Sequence, residues 1–477
     1  MTASVDRASI GLRSARGPVL GALMLSTGLI AIDSTILATA VPSIVRDLGS
    51  YQQFPWLFSV YLLAQAVSVP IYSRFADTIG RKPIILLGIG LFLVGSVLCG
   101  FAGSMTALIV FRIVQGLGAG AVAPMSMTIV GDIYTVAERA KVQGYIASVW
   151  AISSVVGPAL GGVFSQLDAW RWIFWVNIPL CAIAAWMLLR KYHEQTQTRR
   201  HRIDYTGAVL LTVGLTGVIL GMLEGGNAWQ WVSVPSAVCF GVGAAALAVF
   251  VVVERRAAEP IVDLGLARRP LILTTTLVAL GVGALMIGVT SFAPAYLEGS
   301  IGIAPLLSGL AVAALTLGWP VSAANAGRLY LRIGFRRTAL IGTTITTVAA
   351  IALAAASPWP NVFVLAAIAF VFGFGLGWTA APTLITAQSS VDWGERGAVT
   401  GMNAFARSAG SAVGVAVFGA ISNAVIAQGA GADDPATIVA ASFWVFVGIA
   451  VTAVLTLVAA AFMPKDAGAH GSGAAGE

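Results

Sequence analysis

Three charged side chains stand where a charge is costly. Asp33, Arg112 and Arg407 each lie inside a long apolar stretch, well away from its ends. Ionisable groups at such positions in a membrane are rare, and they mark ion or proton pathways or sites for charged cargo. Asp33 falls about 15 residues into its stretch, roughly 22 Å deep at ~1.5 Å per residue. Arg112 is about 7 residues into a stretch that runs the other way, about 20 Å from the same side. The two therefore share a depth, and the sequence predicts that they meet. A pair that closes and opens would move the carboxylate's proton affinity, because low dielectric raises it and a nearby guanidinium lowers it. A pair that stays closed would brace two helices. Gln115, one turn from Arg112, shares its face and can join the network. Arg407 has no deep acid in its half of the chain. It either lines a wet cavity and attracts an anionic group, or it pairs with backbone carbonyls or with Asn403 one turn away.

The elements that must hold these residues are helices. The chain has 477 residues, 58% of them hydrophobic and 10% charged, with mean hydropathy +0.89. That excludes an ordinary soluble domain. Fourteen apolar stretches are legible: 18–41, 53–72, 84–103, 106–130, 142–164, 171–190, 205–226, 234–253, 270–293, 306–325, 337–356, 361–386, 398–425 and 438–463. Each reaches about 20 residues, enough to cross a bilayer as a helix. The expected class is all-α, a polytopic membrane protein. With the N-terminus in the cytoplasm, 23 of the 27 Lys and Arg fall on that side. The positive-inside rule then places both termini there, and the net charge of +7 reads as topology and lipid-headgroup contact, with no role for nucleic acid. The Arg-, Ala- and Gly-rich composition points to a bacterial inner membrane. Cys99, Cys181 and Cys239 lie within helices without metal-ligand spacing, so neither a disulfide framework nor a metal is expected.

The chain repeats itself. Ser73 to Lys82, after the second stretch, is echoed by Gly327 to Arg336 after the tenth, at an offset of 254 residues. Gly116, Gly118 and Gly120 are echoed by Gly373, Gly375 and Gly377, and Gly144, Ser153, Gly157 and Gly162 by Gly401, Gly410, Gly414 and Gly419, both at 257. The implied organisation is a tail (1–17), a six-helix bundle (18–190), a linker with two inserted helices (191–269, helices at 205–226 and 234–253), a second six-helix bundle (270–463) and a second tail (464–477). Related halves imply a substrate path and alternating access by rocking.

Several motifs, in order, resemble the major facilitator superfamily, specifically its fourteen-helix drug:proton antiporter branch. Asp33-Ser34-Thr35-Ile36 followed by Ala40-Val41-Pro42 resembles the branch's helix-1 signature. Ser73 to Lys82 resembles the superfamily's loop motif, with Ser73 where Gly is usual. Arg112, Gln115, Gly116 and Gly120 resemble the helix-4 motif. Gly157-Pro158-Ala159-Leu160-Gly161-Gly162 resembles the antiporter motif of helix 5, and Trp170 to Pro179 the entry to helix 6. The resemblance implies a proton-coupled antiporter exporting drug-like or amphiphilic molecules. A dedicated endogenous lipid, siderophore or metabolite is the alternative cargo. It implies Asp33 and Arg112 at the proton site, and a cytoplasmic gate motif of Asp77, Gly80 and Arg81 that latches one access state. The second copy has Leu331 where Asp77 stands, so it lacks the latch acid. The helix-5 motif, Gly157, Pro158, Gly161 and Gly162, implies close packing and a seal against leak.

Gln115, Trp150, Trp319, Asn403 and Arg407 are the candidates for a substrate cavity, with Phe58, Tyr61, Phe292, Tyr296 and Trp378 as further aromatic candidates. Glu224 reads as interfacial structure rather than coupling, and Trp170, Trp172 and Trp175 as an interface belt. No nucleotide-binding loop or nucleophile–base motif stands out, so neither an enzyme nor a cofactor is expected. The expected partners are a small-molecule substrate, protons and lipids, with the protein a monomer.

Overall fold

In the computed structural model the described residues are 11–134, 136–194, 204–226, 228–257, 260, 264–391 and 396–464. They form long helices in chain order: α1 (Gly17–Leu48), α2 (Phe54–Ile79), α3 (Arg81–Gly100), α4 (Met105–Ile133), α5 (Val136–Gln166), α6 (Trp172–Trp175 and Asn177–Lys191, jointed at Val176), α7 (Tyr205–Glu224), α8 (Val234–Glu254), α9 (Pro270–Ile301), α10 (Pro305–Ile333), α11 (Phe335–Ala356), α12 (Val362–Ser389), α13 (Arg396–Gln428) and α14 (Pro435–Ala461). Thirteen of them carry an apolar span long enough to cross a membrane. The other, α2, is also a helix of 26 residues, and the set is consistent with fourteen crossings. Several helices outrun their apolar stretches by a turn or more. Hydropathy marks the bilayer's thickness, whereas a helix ends at a glycine or a cap.

The helix starts show why. Ser104, Ser233, Asn361 and Asp434 accept backbone N–H bonds at the starts of α4, α8, α12 and α14. Each side-chain oxygen satisfies a donor that the first turn leaves orphaned. All four helices are even-numbered, so they start at the same end of the alternating array. At the opposite end two tight joints recur. Gly80 (φ +112°) is the single residue between α2 and α3, and Gly334 (φ +89°) the single residue between α10 and α11. Only glycine adopts such backbone without strain.

The chain divides into two compact units, one of residues 1–50 and 60–205, the other of 51–59 and 206–477. The inserted helices α7 and α8 group with the second. They pack on each other where Gly214 meets Leu247 and Gly217 meets Gly243.

Within each unit the repeated glycines do the same job. In the first, Gly116 and Gly120 press on the α2 backbone at Tyr61 and Gln65, while Gly118 presses on α3 at Gly88 and Phe92. In the second, Gly373 and Gly377 press on the α10 backbone at Leu315 and Trp319, while Gly375 presses on α11 at Gly342 and Thr346. Ser68 and Ser322 touch the last glycine of each set. A side chain at any of these positions would hold the backbones apart.

The helix-5 glycines pack on α1. A Cβ at Gly157 would meet the Thr35 hydroxyl, and one at Gly161 the Thr39 hydroxyl and the Ile36 carbonyl. The same contact is tied by hydroxyls, since Thr35 Oγ1 donates to the Ser153 carbonyl at 3.2 Å and Ser165 Oγ to the Thr39 carbonyl at 3.2 Å. Trp170 is a correction. It is buried and donates its indole N–H to Asp47 at 3.0 Å, so it braces the fold instead of joining an interface belt. Trp172 is exposed.

Gly161→Val is expected to lower the thermal unfolding midpoint of the detergent-purified protein, at a cost of about 1–3 kcal/mol from overpacking. Gly241→Val, at an exposed position of α8 with open space around it, is the control and should leave the midpoint nearly unchanged.

Candidate functional site

α1 and α4 bring Asp33 and Arg112 together in the interior of the first unit. Arg112 Nη1 lies 2.8 Å from Asp33 Oδ2, and each residue is 1% exposed. Gln115 closes the arrangement into a ring. Arg112 donates to Gln115 Oε1 at 2.7 Å, and Gln115 Nε2 donates to Asp33 Oδ1 at 2.8 Å. Both carboxylate oxygens thus accept a bond from α4. Helical spacing puts Arg112 and Gln115 on one face, which is why two residues three apart can grip one carboxylate.

A further shell holds the ring. Gln115 Nε2 also lies 2.8 Å from Ser96 Oγ on α3, and Asn177 Nδ2 on α6 donates to that same hydroxyl at 2.9 Å. The guanidinium of Arg112 sits over the Tyr61 ring, 4.0 Å from its centroid, a cation–π contact in a desolvated place. Tyr61 is one of the aromatic candidates for the cavity, and Asn177 lies within the helix-6 motif. Ser96 is legible only in the structure, because a neutral serine in a helix carries no signal that singles it out.

The cytoplasmic gate motif is partly visible. Arg81 Nε lies 2.8 Å from Asp132 Oδ2 at the end of α4. The carboxylate of Glu194, in the segment after α6, accepts from the backbone N–H groups of Arg81 and Lys82 at the start of α3. An anion there meets the positive end of the helix dipole and two orphan donors. Neither Asp132 nor Glu194 was singled out from sequence. Asp77 lies on α2, and its side chain falls outside the described residues. At the second copy Leu331 is exposed.

The cavity candidates divide. Phe58, Tyr61, Phe292 and Tyr296 are buried in packing. Phe292 lies edge-on to Phe54 and Phe418, and Tyr296 donates to the Ser357 carbonyl at 2.7 Å. Phe292 and Tyr296 are thereby tied into the packing of the second unit, whereas Tyr61 lies against Arg112. Trp150 is exposed on the first unit. In the second unit Arg407 is exposed, while Trp319, Trp378 and Asn403 are half-buried. Among the described residues no hydrogen bond joins the Arg407 side chain to Trp319 or Asn403. Glu224 ends α7 and accepts the Trp56 indole N–H at 2.8 Å, a tie within the second unit.

The sequence profile of the Major Facilitator Superfamily matches residues 23–415. The chain belongs to that superfamily. Among similar proteins, Multidrug resistance protein 3 of Bacillus subtilis (strain 168) is 31% identical over 422 residues, covering 87% of this chain and 81% of that one. Multidrug transporter protein MdtP of the same organism is 30% identical over 414 residues, covering 87% and 76%. Solved structures share the fold. A POT-family peptide transporter in complex with sulfate superposes with a TM-score of 0.68 at 15% identity, covering 95% of this chain and 98% of that one. A D-xylose-proton symporter does so with 0.66 at 13%, with the same coverage of both chains. This member of the major facilitator superfamily is a multi-pass membrane transporter and not an enzyme.

Removing one partner of a buried ion pair strands the other. Arg112→Leu is expected to destabilise the purified protein by about 3–5 kcal/mol. The double variant Asp33→Asn/Arg112→Gln, which strands no charge, should recover most of that loss. Thermal denaturation in detergent measures both.

Proposed function

We propose that the protein is a proton-coupled antiporter that exports drug-like or amphiphilic molecules across the bacterial inner membrane, with both termini cytoplasmic. The observation that carries this reading is the sealed ring of Asp33, Arg112 and Gln115 at mid-depth in the first unit. The names of the two Bacillus relatives support drug export, and the bias of basic residues supports the orientation.

The chemistry follows from charge balance. With Asp33 ionised, the ring carries one negative and one positive charge, and both carboxylate oxygens accept a bond from α4. A proton on Asp33 cancels the carboxylate's charge and leaves Arg112 as an uncompensated buried cation. Such a state is costly in a low-dielectric interior, so protonation favours a conformation in which Arg112 finds water or another partner. Release of the proton restores the closed ring. A ligand shifts such an equilibrium only by its differential affinity for the two states, and here the proton and the cargo compete for opposite ones. Arg81, Asp132 and Glu194 tie α3, α4 and the segment after α6 at the basic end, where a gate would act. Gly157 and Gly161 seat α5 on the helix that bears Asp33.

The test uses proteoliposomes with a pH-reporting dye inside, an imposed proton gradient and a lipophilic dye substrate. Wild type is expected to show substrate-dependent proton flux. Asp33→Asn should lose that flux, by about tenfold or more for a lost coupling group, while still binding the dye. Equal flux in both would overturn the assignment of the proton to Asp33.

A further inference from the structure

Arg407 stands eleven residues into α13, about 16 Å along a helix of 33 residues, and its side chain is exposed. Its backbone is fixed. The Arg407 carbonyl accepts from Ser411 Oγ at 3.0 Å and packs against Gly283 of α9, where a Cβ would collide with it. Next to it, Gly410 presses on the Leu280 backbone of the same helix. The guanidinium is therefore presented from a rigid seat.

The surface around it has a pattern. Thr400, Asn403, Arg407 and Ser411 are spaced three, four and four residues apart, which places them on one helical face. None of the four is buried. The two ends of the stripe are engaged within the unit, Thr400 accepting from Gln388 Nε2 of α12 at 2.8 Å and Ser411 lying beside Gly283 of α9, while between them the Arg407 side chain stays exposed. A guanidinium with an amide one turn away would be costly against lipid tails, so this part of the face meets water or polar cargo.

The charge on that face lacks a counter-ion among the described residues. The described acids in the helices of the second unit are Glu224, Glu254 and Glu298. Glu224 and Glu254 are the last residues of their helices, and Glu298 lies in the last turn of its own. Glu224 holds Trp56, and Glu298 accepts from Ser308. The first unit pairs its buried guanidinium with Asp33, whereas no described acid pairs with the exposed guanidinium of Arg407 in the second.

We propose that Arg407 is the anion subsite of the transported substrate, so that the cargo includes amphiphiles bearing a carboxylate. A planar guanidinium grips a carboxylate through two parallel N–H bonds, a match that an ammonium gives less well. Asn403 adds an amide one turn away on the same face. The inference rests on the transport reading but not on the identity of the proton site.

The probes are rhodamine B, which carries a free carboxylate, and its ethyl ester, which does not. Binding to detergent-purified protein is followed by fluorescence anisotropy for wild type, Arg407→Lys and Arg407→Gln. Wild type should favour the carboxylate. Arg407→Gln should weaken rhodamine B by about tenfold or more, the scale of a lost charged hydrogen bond, and leave the ester unchanged. Arg407→Lys should keep part of the preference. In wild type alone, rhodamine B and not the ester should slow phenylglyoxal modification of Arg407, read by mass spectrometry. This second readout needs no variant to fold. An unchanged carboxylate-to-ester ratio in Arg407→Gln, no carboxylate preference in wild type, or labelling indifferent to both dyes would each overturn the proposal. Asp33→Asn serves as the separating control, because binding in detergent needs no proton gradient. If it abolishes coupled flux but keeps the ratio, both proposals stand; if flux survives it with the ratio intact, only the coupling assignment fails.

Discussion

A carboxylate and a guanidinium shut away from water hold each other in place, and much of the first unit is arranged around that fact. Neither charge is tolerable alone at such a depth. Gln115 bonds to both members of the pair and Tyr61 lies against the guanidinium, while Ser96 holds Gln115 and Asn177 holds Ser96, so that four different helices take part. The result is a polar knot inside an otherwise apolar bundle. The knot dictates where α3, α4 and α6 must stand relative to α1, because each supplies a donor or acceptor that must reach its partner at hydrogen-bond distance.

What the sequence revealed depended on how unusual each residue was in its setting. Asp33 and Arg112 were legible because a charge in an apolar helix is rare, and simple rise-per-residue arithmetic set them at one depth. Gln115 followed from its spacing. Ser96 and Asn177 were not legible as ligands, since small neutral polar residues are common in membrane helices and reveal their role only through contacts. Asp132 and Glu194 were hidden for another reason: acids in basic loops look like solvated surface until the fold places them against Arg81 and the start of α3. The aromatic candidates could not be sorted from sequence for want of helix rotation. Phe292 and Tyr296 sit in core packing, although their types and depth matched those of Trp150.

The repeat was legible at the level of glycine spacing, and the structure gives that spacing a mechanical meaning. Gly80 and Gly334 make the same one-residue joint, and the paired glycine triplets touch equivalent backbones in each unit. The halves differ in their charges. One buries a balanced pair, and the other carries an exposed guanidinium, Arg407, well inside a long helix. Backbone geometry common to both halves is thus a frame on which different side-chain chemistry has been mounted.

The hydroxyl ties between α1 and α5 make those two helices a single mechanical piece. Thr35 bonds to the α5 backbone, Ser165 bonds back to α1, and Gly157 and Gly161 leave no gap between them. Arg112 belongs to a different piece, since α4 is seated on α3 and α2 by its own glycines. The Asp33–Arg112 contact therefore spans a seam within one bundle. Any sliding along that seam stretches the ion pair directly, so the carboxylate acts as a strain gauge for motion between two helix blocks, and residues on α5 that never touch it set how far it travels.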